Sequence, residues 1–312
     1  MTNPLRIKAL HHVCVQVADL SGNERFARHF GLTEVSRRGD RIFLGTCGTD
    51  QFSYVVEPGP KTRLTAIAFT VETRAELDRA VREHGATAVR MLGGPGGGEG
   101  VSLTDPDGTN IDIVFGIEPR QPGPLSPQPQ INYPGSRQRF NAAQSYPAGP
   151  GYPLRLGHLG LFVGDFRRSE AWYKQTLGLT ASDRMYAGAP DHFVGGFYRL
   201  DRGPDWVDHH TMAFFAMGAP GLHHLSFEVQ DIEQQMISHR RLQTEGYQSV
   251  WGVGRHPLGS HIFDLWKDPN GIRFETYSDT DWCNNDRAPR DHPVQETEMD
   301  LWSNESFEKY FA

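Results

Sequence analysis

Leu156-Gly157-His158-Leu159-Gly160-Leu161-Phe162-Val163-Gly164-Asp165 is the stretch on which the reading of this chain turns. Leu10-His11-His12-Val13-Cys14-Val15-Gln16-Val17-Ala18-Asp19 repeats it at a constant offset of 146 residues. Each copy has the two-residue alternation of a strand. Each leads into a helical pattern that stops at a glycine, in His29-Phe30-Gly31-Leu32 and in Thr176-Leu177-Gly178-Leu179, because glycine readily takes the left-handed backbone that closes a helix. A second pair of strand patterns follows, 64–71 and 222–229, running into helical patterns at 75–83 and 232–245. Each half then reaches a turn, Asp105-Pro106-Asp107-Gly108 or Asp268-Pro269-Asn270-Gly271, and a last strand. Such a period predicts duplication: an α+β fold of tandem βαβββ modules in two domains, each a curved, barrel-like mixed sheet.

The prolines of Pro119-Arg120-Gln121-Pro122-Gly123-Pro124 and Pro147-Ala148-Gly149-Pro150-Gly151 mark an extended linker. The expected boundaries are an N-terminal domain at 1–116, a linker at 117–153, a C-terminal catalytic domain at 154–281 and a tail at 282–312. The tail carries Trp302, Phe307, Tyr310 and Phe311, and it folds across the cavity mouth or packs on another subunit. A length of 312 residues suits two domains. The net charge of −7 speaks against a nucleic-acid partner, which needs a basic face. Three cysteines without CxxC spacing offer neither a disulfide framework nor a thiolate zinc site. With no apolar run long enough for a bilayer, the expectation is a cytoplasmic protein without a membrane partner.

The halves differ in chemistry. At matched positions the second has His158, His224 and Glu275, where the first has His12, Ala66 and Asp112; Glu275 and Asp112 each lie six residues beyond the turn proline. Two histidines and a carboxylate on separate strands suit a non-haem iron(II) site with open positions. Alternation puts His158 opposite the row Leu159, Leu161 and Val163, and puts His224 with Ser226 and Glu228, opposite His223, Leu225 and Phe227. Glu275 shares a face with Arg273 and Tyr277. A single strand histidine is more often a surface or hydrogen-bonded residue than a ligand; joint placement at repeat-equivalent strands argues otherwise. Ala66 leaves the first half without a third ligand. The glycine run Gly93–Gly100 lacks both a following helix and the lysine of a phosphate cradle, and reads as a hairpin or loop.

Gly157-His158-Leu159, His209-His210-Thr211, His223-His224-Leu225, the segment Gly254-Arg255-His256-Pro257-Leu258-Gly259-Ser260, and Asp268-Pro269 through Glu275 together resemble the vicinal oxygen chelate superfamily, and within it the type I extradiol catechol dioxygenases. The resemblance implies that His158, His224 and Glu275 hold Fe(2+), with Mn(2+) as the alternative, and that O2 is co-substrate. It assigns acid–base work to His210, with His209 the less favoured member of that pair, and a hydrogen bond to the substrate hydroxylate to His256. Tyr277 and His261 join His256 as substrate-binding candidates. The implied substrate is a small aromatic diol, a dihydroxy- or trihydroxy-aromatic ring opened beside the diol, and the implied assembly a homo-oligomer. The chain departs from the family pattern at Leu265, where the signature has a tyrosine. Two alternatives share the scaffold: a glyoxalase-like metal-dependent isomerase or transferase, and a non-catalytic protein that binds aromatic compounds.

Overall fold

The computed structural model describes residues 3–145, 149–216, 218–303 and 310–311; Pro147 and Ala148 of the linker and Phe307 of the tail lie outside these. The first half runs β1 (Ile7–Val17), α1 (Leu20–Phe30), β2 (Thr33–Arg38), β3 (Arg41–Gly45), β4 (Tyr54–Pro58), then β5 (Arg63–Val71), α2 (Ala75–His84), β6 (Arg90–Met91), β7 (Glu99–Thr104), β8 (Asn110–Phe115). The second runs β9 (Arg155–Phe162), α3 (Phe166–Leu177), β10 (Leu179–Tyr186), β11 (Phe193–Leu200), β12 (Val207–Asp208), β13 (Met212–Phe215), then β14 (Gly221–Glu228), α4 (Ile232–Thr244), β15 (Gln248–Arg255), β16 (Ile262–Lys267), β17 (Arg273–Ser278). Two short strands follow, β18 (Trp282–Cys283) and β19 (Arg290–Pro293). The glycine run closes the β6–β7 hairpin.

The aspartates that end the two repeated stretches cap the next helices. Asp19 accepts from the Gly22 amide and Asp165 from that of Arg168, meeting donors that a helix start leaves free. Gly31 (φ 110°) and Gly178 (φ 67°) close α1 and α3 in left-handed backbone.

The eight-stranded sheet has the order β2-β3-β4-β1-β5-β8-β7-β6, the nine-stranded one β15-β16-β17-β14-β9-β13-β11-β10-β19. Strand β1 pairs parallel with β4 and antiparallel with β5, as β9 does with β13 and β14. The repeat holds to the residue: His12 faces Ala68 and Ala68 faces Asp112, while His158 faces Ser226 and Ser226 faces Glu275. Met185 of β10 and Phe197 of β11 share an apolar cluster with Val250 and Trp251 of β15 and with Phe263 and Leu265 of β16. Those strands stand at opposite ends of the sheet order, so the second sheet curls round and closes on its own side chains.

Outside the curl, the halves are joined by their first helices. Phe26 and Phe30 of α1 pack on Phe274 (ring centroids 5.0 Å) and Phe227 (5.5 Å) of the other half's sheet. Asn23 of α1 donates to Asp268 (2.7 Å), and Tyr173 of α3 donates to Asp105 (3.0 Å). Each helix thereby grips the Asp-Pro turn of the opposite half. The second sheet also takes in β19, which pairs with β10, while β18 pairs with β12 in a separate two-stranded sheet.

Candidate active site and metal centre

His158, His224 and Glu275 stand on the neighbouring strands β9, β14 and β17 and are buried. One ligand atom from each lies within 4.8 Å of the others, and His158 Nε2 is 3.2 Å from Glu275 Oε1. Two ligands at about 2.1 Å from one ion and at right angles are themselves about 3 Å apart, so the spacing fits. His224 Nε2 and Glu275 Oε2 have no hydrogen-bond partner among the described residues. Buried polar atoms are nearly always paired, and these two are ligand-type atoms that converge with His158. Ser226 Oγ donates to Glu275 Oε1 at 2.6 Å and holds the carboxylate in this orientation. Burial acts to raise the Glu275 pKa, but the hydrogen bond from His158 and the nearby His224 and His261 outweigh it and keep the group ionised. Burial lowers His224 to about 3, leaving a neutral ring.

Strict alternation fails at His223. The β14–β9 register slips between Leu222 and His224, so His223 is the extra residue of a bulge, which re-aims side chains. Its ring joins the polar side, with His223 Nδ1 2.6 Å from His224 Nδ1, instead of lying with Leu225 and Phe227 as alternation requires. His209 and His210 form the same kind of pair, Nδ1 to Nδ1 at 3.0 Å, in the bend between β12 and β13.

His210 lies 4.2 Å from His158 between ring centroids, and His261 lies 5.5 Å from His158, 5.4 Å from His210 and 4.7 Å from His256. Two further groupings of ligand-type atoms therefore overlap the first: His158, His210 and His261, and His256, His261 and Glu275. His261 Nδ1 and the Tyr277 hydroxyl are buried without hydrogen-bond partners among the described residues. Tyr277 reaches over Gly157, where a Cβ would sit 1.9 Å from its hydroxyl. His256 stacks on Phe263 (3.9 Å) and hydrogen-bonds the Met299 carbonyl. Burial, reinforced by His158 and His209, drives the His210 pKa well below its ordinary value instead of leaving it near neutrality, and burial lowers His256 too. Leu265 sits opposite Glu275 in the β16–β17 register, buried among apolar side chains.

In the first half, Ala66 faces Cys14 where His224 faces Gly160. Cys14, Phe43, Phe52, Val55 and Ala66 fill that interior, and Asp112 is paired with Arg90 (3.1 Å). Among the described residues every grouping of three ligand-type side chains falls in the second half.

The contacts of Ser226 with Glu275 and of the Met299 carbonyl with His256 have no signal in the sequence; the doubled histidines at 209–210 and 223–224 do, but read there as a choice of one from each pair.

This architecture is the vicinal oxygen chelate fold, and residues 155–276 match the family model of the Glyoxalase/Bleomycin resistance protein/Dioxygenase superfamily. The relatives it resembles in sequence and most of its neighbours in fold are extradiol ring-cleaving dioxygenases. It is 29% identical to metapyrocatechase 2 from Cupriavidus necator, over 88% of this chain and 82% of the relative. To the manganese-dependent 2,3-dihydroxybiphenyl 1,2-dioxygenase of Geobacillus genomosp. 3 it is 24% identical, over 87% of each. Among solved structures it superposes on homoprotocatechuate 2,3-dioxygenase from Brevibacterium fuscum with a TM-score of 0.80 at 18% identity, over 99% and 92% of the two chains. It also superposes on the Mn(II)-bound glyoxalase of Novosphingobium aromaticivorans with a TM-score of 0.78 at 22% identity, over 96% and 92%.

Proposed function

We propose that this protein opens a catechol-type ring beside its diol with both atoms of O2, using iron(II) or manganese(II) held by His158, His224 and Glu275. The observation that carries the reading is the convergence of those three buried groups, two of them with unpartnered ligand atoms, inside a ring of further histidines. A divalent ion bound there supplies a Lewis-acidic meeting point for the two diol oxygens and O2, since three protein ligands leave positions open.

The remaining chemistry belongs to the chain. His210, whose ring lies 4.2 Å from that of His158 between centroids, stands where it can accept a proton from the bound diol side and return it to the opened product. His256, fixed against Phe263, hydrogen-bonds a diol oxygen. His261 and Tyr277 complete the wall; burial raises the tyrosine pKa well above its usual value, so its hydroxyl stays a donor. Phe197, Trp251, Phe263 and Leu265 exclude water from the reacting groups. Leu265 removes the hydroxyl that the family signature places there and leaves diol orientation to His256 and His261. In this reading the substrate is a small aromatic diol or triol and the compartment the cytoplasm, an expectation supported by a sequence with three cysteines and no CxxC spacing.

Anaerobic loading with iron(II) or manganese(II), followed by a panel of catechols, trihydroxybenzenes, hydroquinones and dihydroxypyridines, tests this. Oxygen uptake matched by a yellow ring-opened product is expected for a diol of the panel. A fully loaded protein that consumes no oxygen with any of them contradicts it and favours an isomerase of the glyoxalase kind.

A further inference from the structure

Three site histidines are held by hydrogen bonds that trace to Arg287, His292, Met299 and Tyr310, and for neutral rings the donor count along each chain of contacts has one solution. A neutral imidazole has one N–H and one acceptor nitrogen. Asp183 is fully buried and receives Arg287 Nη2 (2.6 Å), His292 Nε2 (2.8 Å) and His209 Nε2 (2.6 Å). A carboxylate paired with a guanidinium only accepts, so His209 carries its proton on Nε2. Its Nδ1 is then an acceptor, and His210 Nδ1, 3.0 Å away, must donate to it. The second pair follows the same logic with a different anchor. The main-chain carbonyl of Tyr310 takes His223 Nε2 (3.1 Å), so His223 Nδ1 accepts from His224 Nδ1 at 2.6 Å. The third case is direct, His256 Nδ1 on the Met299 carbonyl.

We propose that the segment following the catalytic module is a tautomer-setting strap: acting through Asp183–His209, through the Tyr310 carbonyl and His223, and through the Met299 carbonyl, it fixes His210, His224 and His256 as Nδ1–H forms with Nε2 lone pairs free. For His224 this preforms a metal ligand, and its Nε2 is the atom left without a hydrogen-bond partner. For His210 and His256 it means that each meets the substrate first as an acceptor. His209 and His223 are positioning residues, Asp183 and the two carbonyls their anchors. Where the segment is seated it also holds itself, since Asp300 accepts from the Arg255 amide (2.9 Å) and from Trp251 Nε1 (3.1 Å), and the Tyr310 ring lies 4.8 Å from that of His223.

The assignment of roles to the freed lone pairs rests on the ring-cleavage reading, but the tautomers do not, and the test keeps the two apart. Full-length protein labelled with 15N-histidine and loaded with diamagnetic zinc is expected to show His210 and His256 as Nδ1–H imidazoles. Finding either as the Nε2–H form in this unaltered protein overturns the proposal. In His209→Phe, His210 should lose its single tautomer while His256 keeps its own; an unchanged His210 spectrum also overturns it. Chelator competition with zinc is the second arm. His223→Phe, or removal of residues 310–312, should weaken the site about 10–100-fold, the usual effect of losing a partner that orients a metal-bound histidine, and His223→Asn, which keeps an acceptor, should recover part of it. Equal affinity in all four proteins removes the strap from the metal site. Inactivity toward every diol alongside the expected spectra would sink the function and leave the strap standing.

Discussion

Replacing Gly160 by alanine tests how closely the second half is fitted round its ligands. An ideal Cβ at Gly160 would lie 2.6 Å from both Cε1 and Nδ1 of His224, with Phe215 Cε2 at 3.3 Å on another side. Ordinary contact needs about 3.5–4.0 Å, so the imidazole must retreat by about 1 Å. Ligand distances in a working metal site hold to about 0.2 Å, and His224 Nδ1 is in addition tied to His223. Metal affinity should fall about 10–100-fold, as when a ligand's support is lost, while the metal-free protein loses about 1–3 kcal/mol from overpacking. Competition with a chromophoric chelator reads the first, urea unfolding the second. Gly221→Ala on the same strand pair is the control, since no atom of the described residues lies within 4 Å of its added Cβ. Unchanged affinity in Gly160→Ala would mean that the space beside β9 does not hold His224 in place; the same lack of space leaves the first half, with Cys14 opposite Ala66, no room for a ligand there.

Asn23→Ala should cost about 1–3 kcal/mol in urea unfolding, because it strips a 2.7 Å donor from the buried Asp268 that joins α1 to the opposite turn; a loss under about 0.5 kcal/mol would mean the apolar contacts of Phe26 and Phe30 suffice. Burial lowers His11 to about 4, so the folded protein binds fewer protons than the unfolded chain between that value and about 6.5. Its contribution is complete above the unfolded value and is lost as pH falls toward 4. Between pH 7 and 4.5 the wild type should lose about 2–3 kcal/mol more than His11→Phe, and parallel losses would contradict this. Leu265→Tyr should raise oxygen uptake with unsubstituted catechols by restoring a hydroxyl opposite Glu275, at about 1–3 kcal/mol of stability; unchanged kcat/KM would show that His261 or His256 already fills the place.

The duplication and the convergence of His158, His224 and Glu275 were legible because both are written in strand period and turn chemistry. His158, Ser226 and Glu275 align across β9, β14 and β17 as alternation requires, and the glycines expected to end α1 and α3 do so. What alternation could not show was the bulge at His223, because a slipped residue leaves no mark in a hydrophobic pattern. Asp183 was hidden for a different reason. It lies inside β10 as one carboxylate among many, and its meaning comes only from Arg287 and His292, more than a hundred residues away. The histidine doublets were visible, but read as a choice between two candidates when the structure uses both members of each. Gly157 and Gly160 likewise look ordinary in a strand until Tyr277 and His224 are seen to occupy the space their side chains would need.

One cation is expected to sit among His158, His224 and Glu275. Crystals of protein loaded with manganese(II) or, under anaerobic conditions, iron(II), measured above and below the metal's absorption edge, test it most directly. One anomalous peak per chain bonded to Nε2 of both histidines and to the Glu275 carboxylate is the expected result. A peak held instead by His158, His210 and His261, or a full-strength peak elsewhere with these three side chains unbonded, would contradict it.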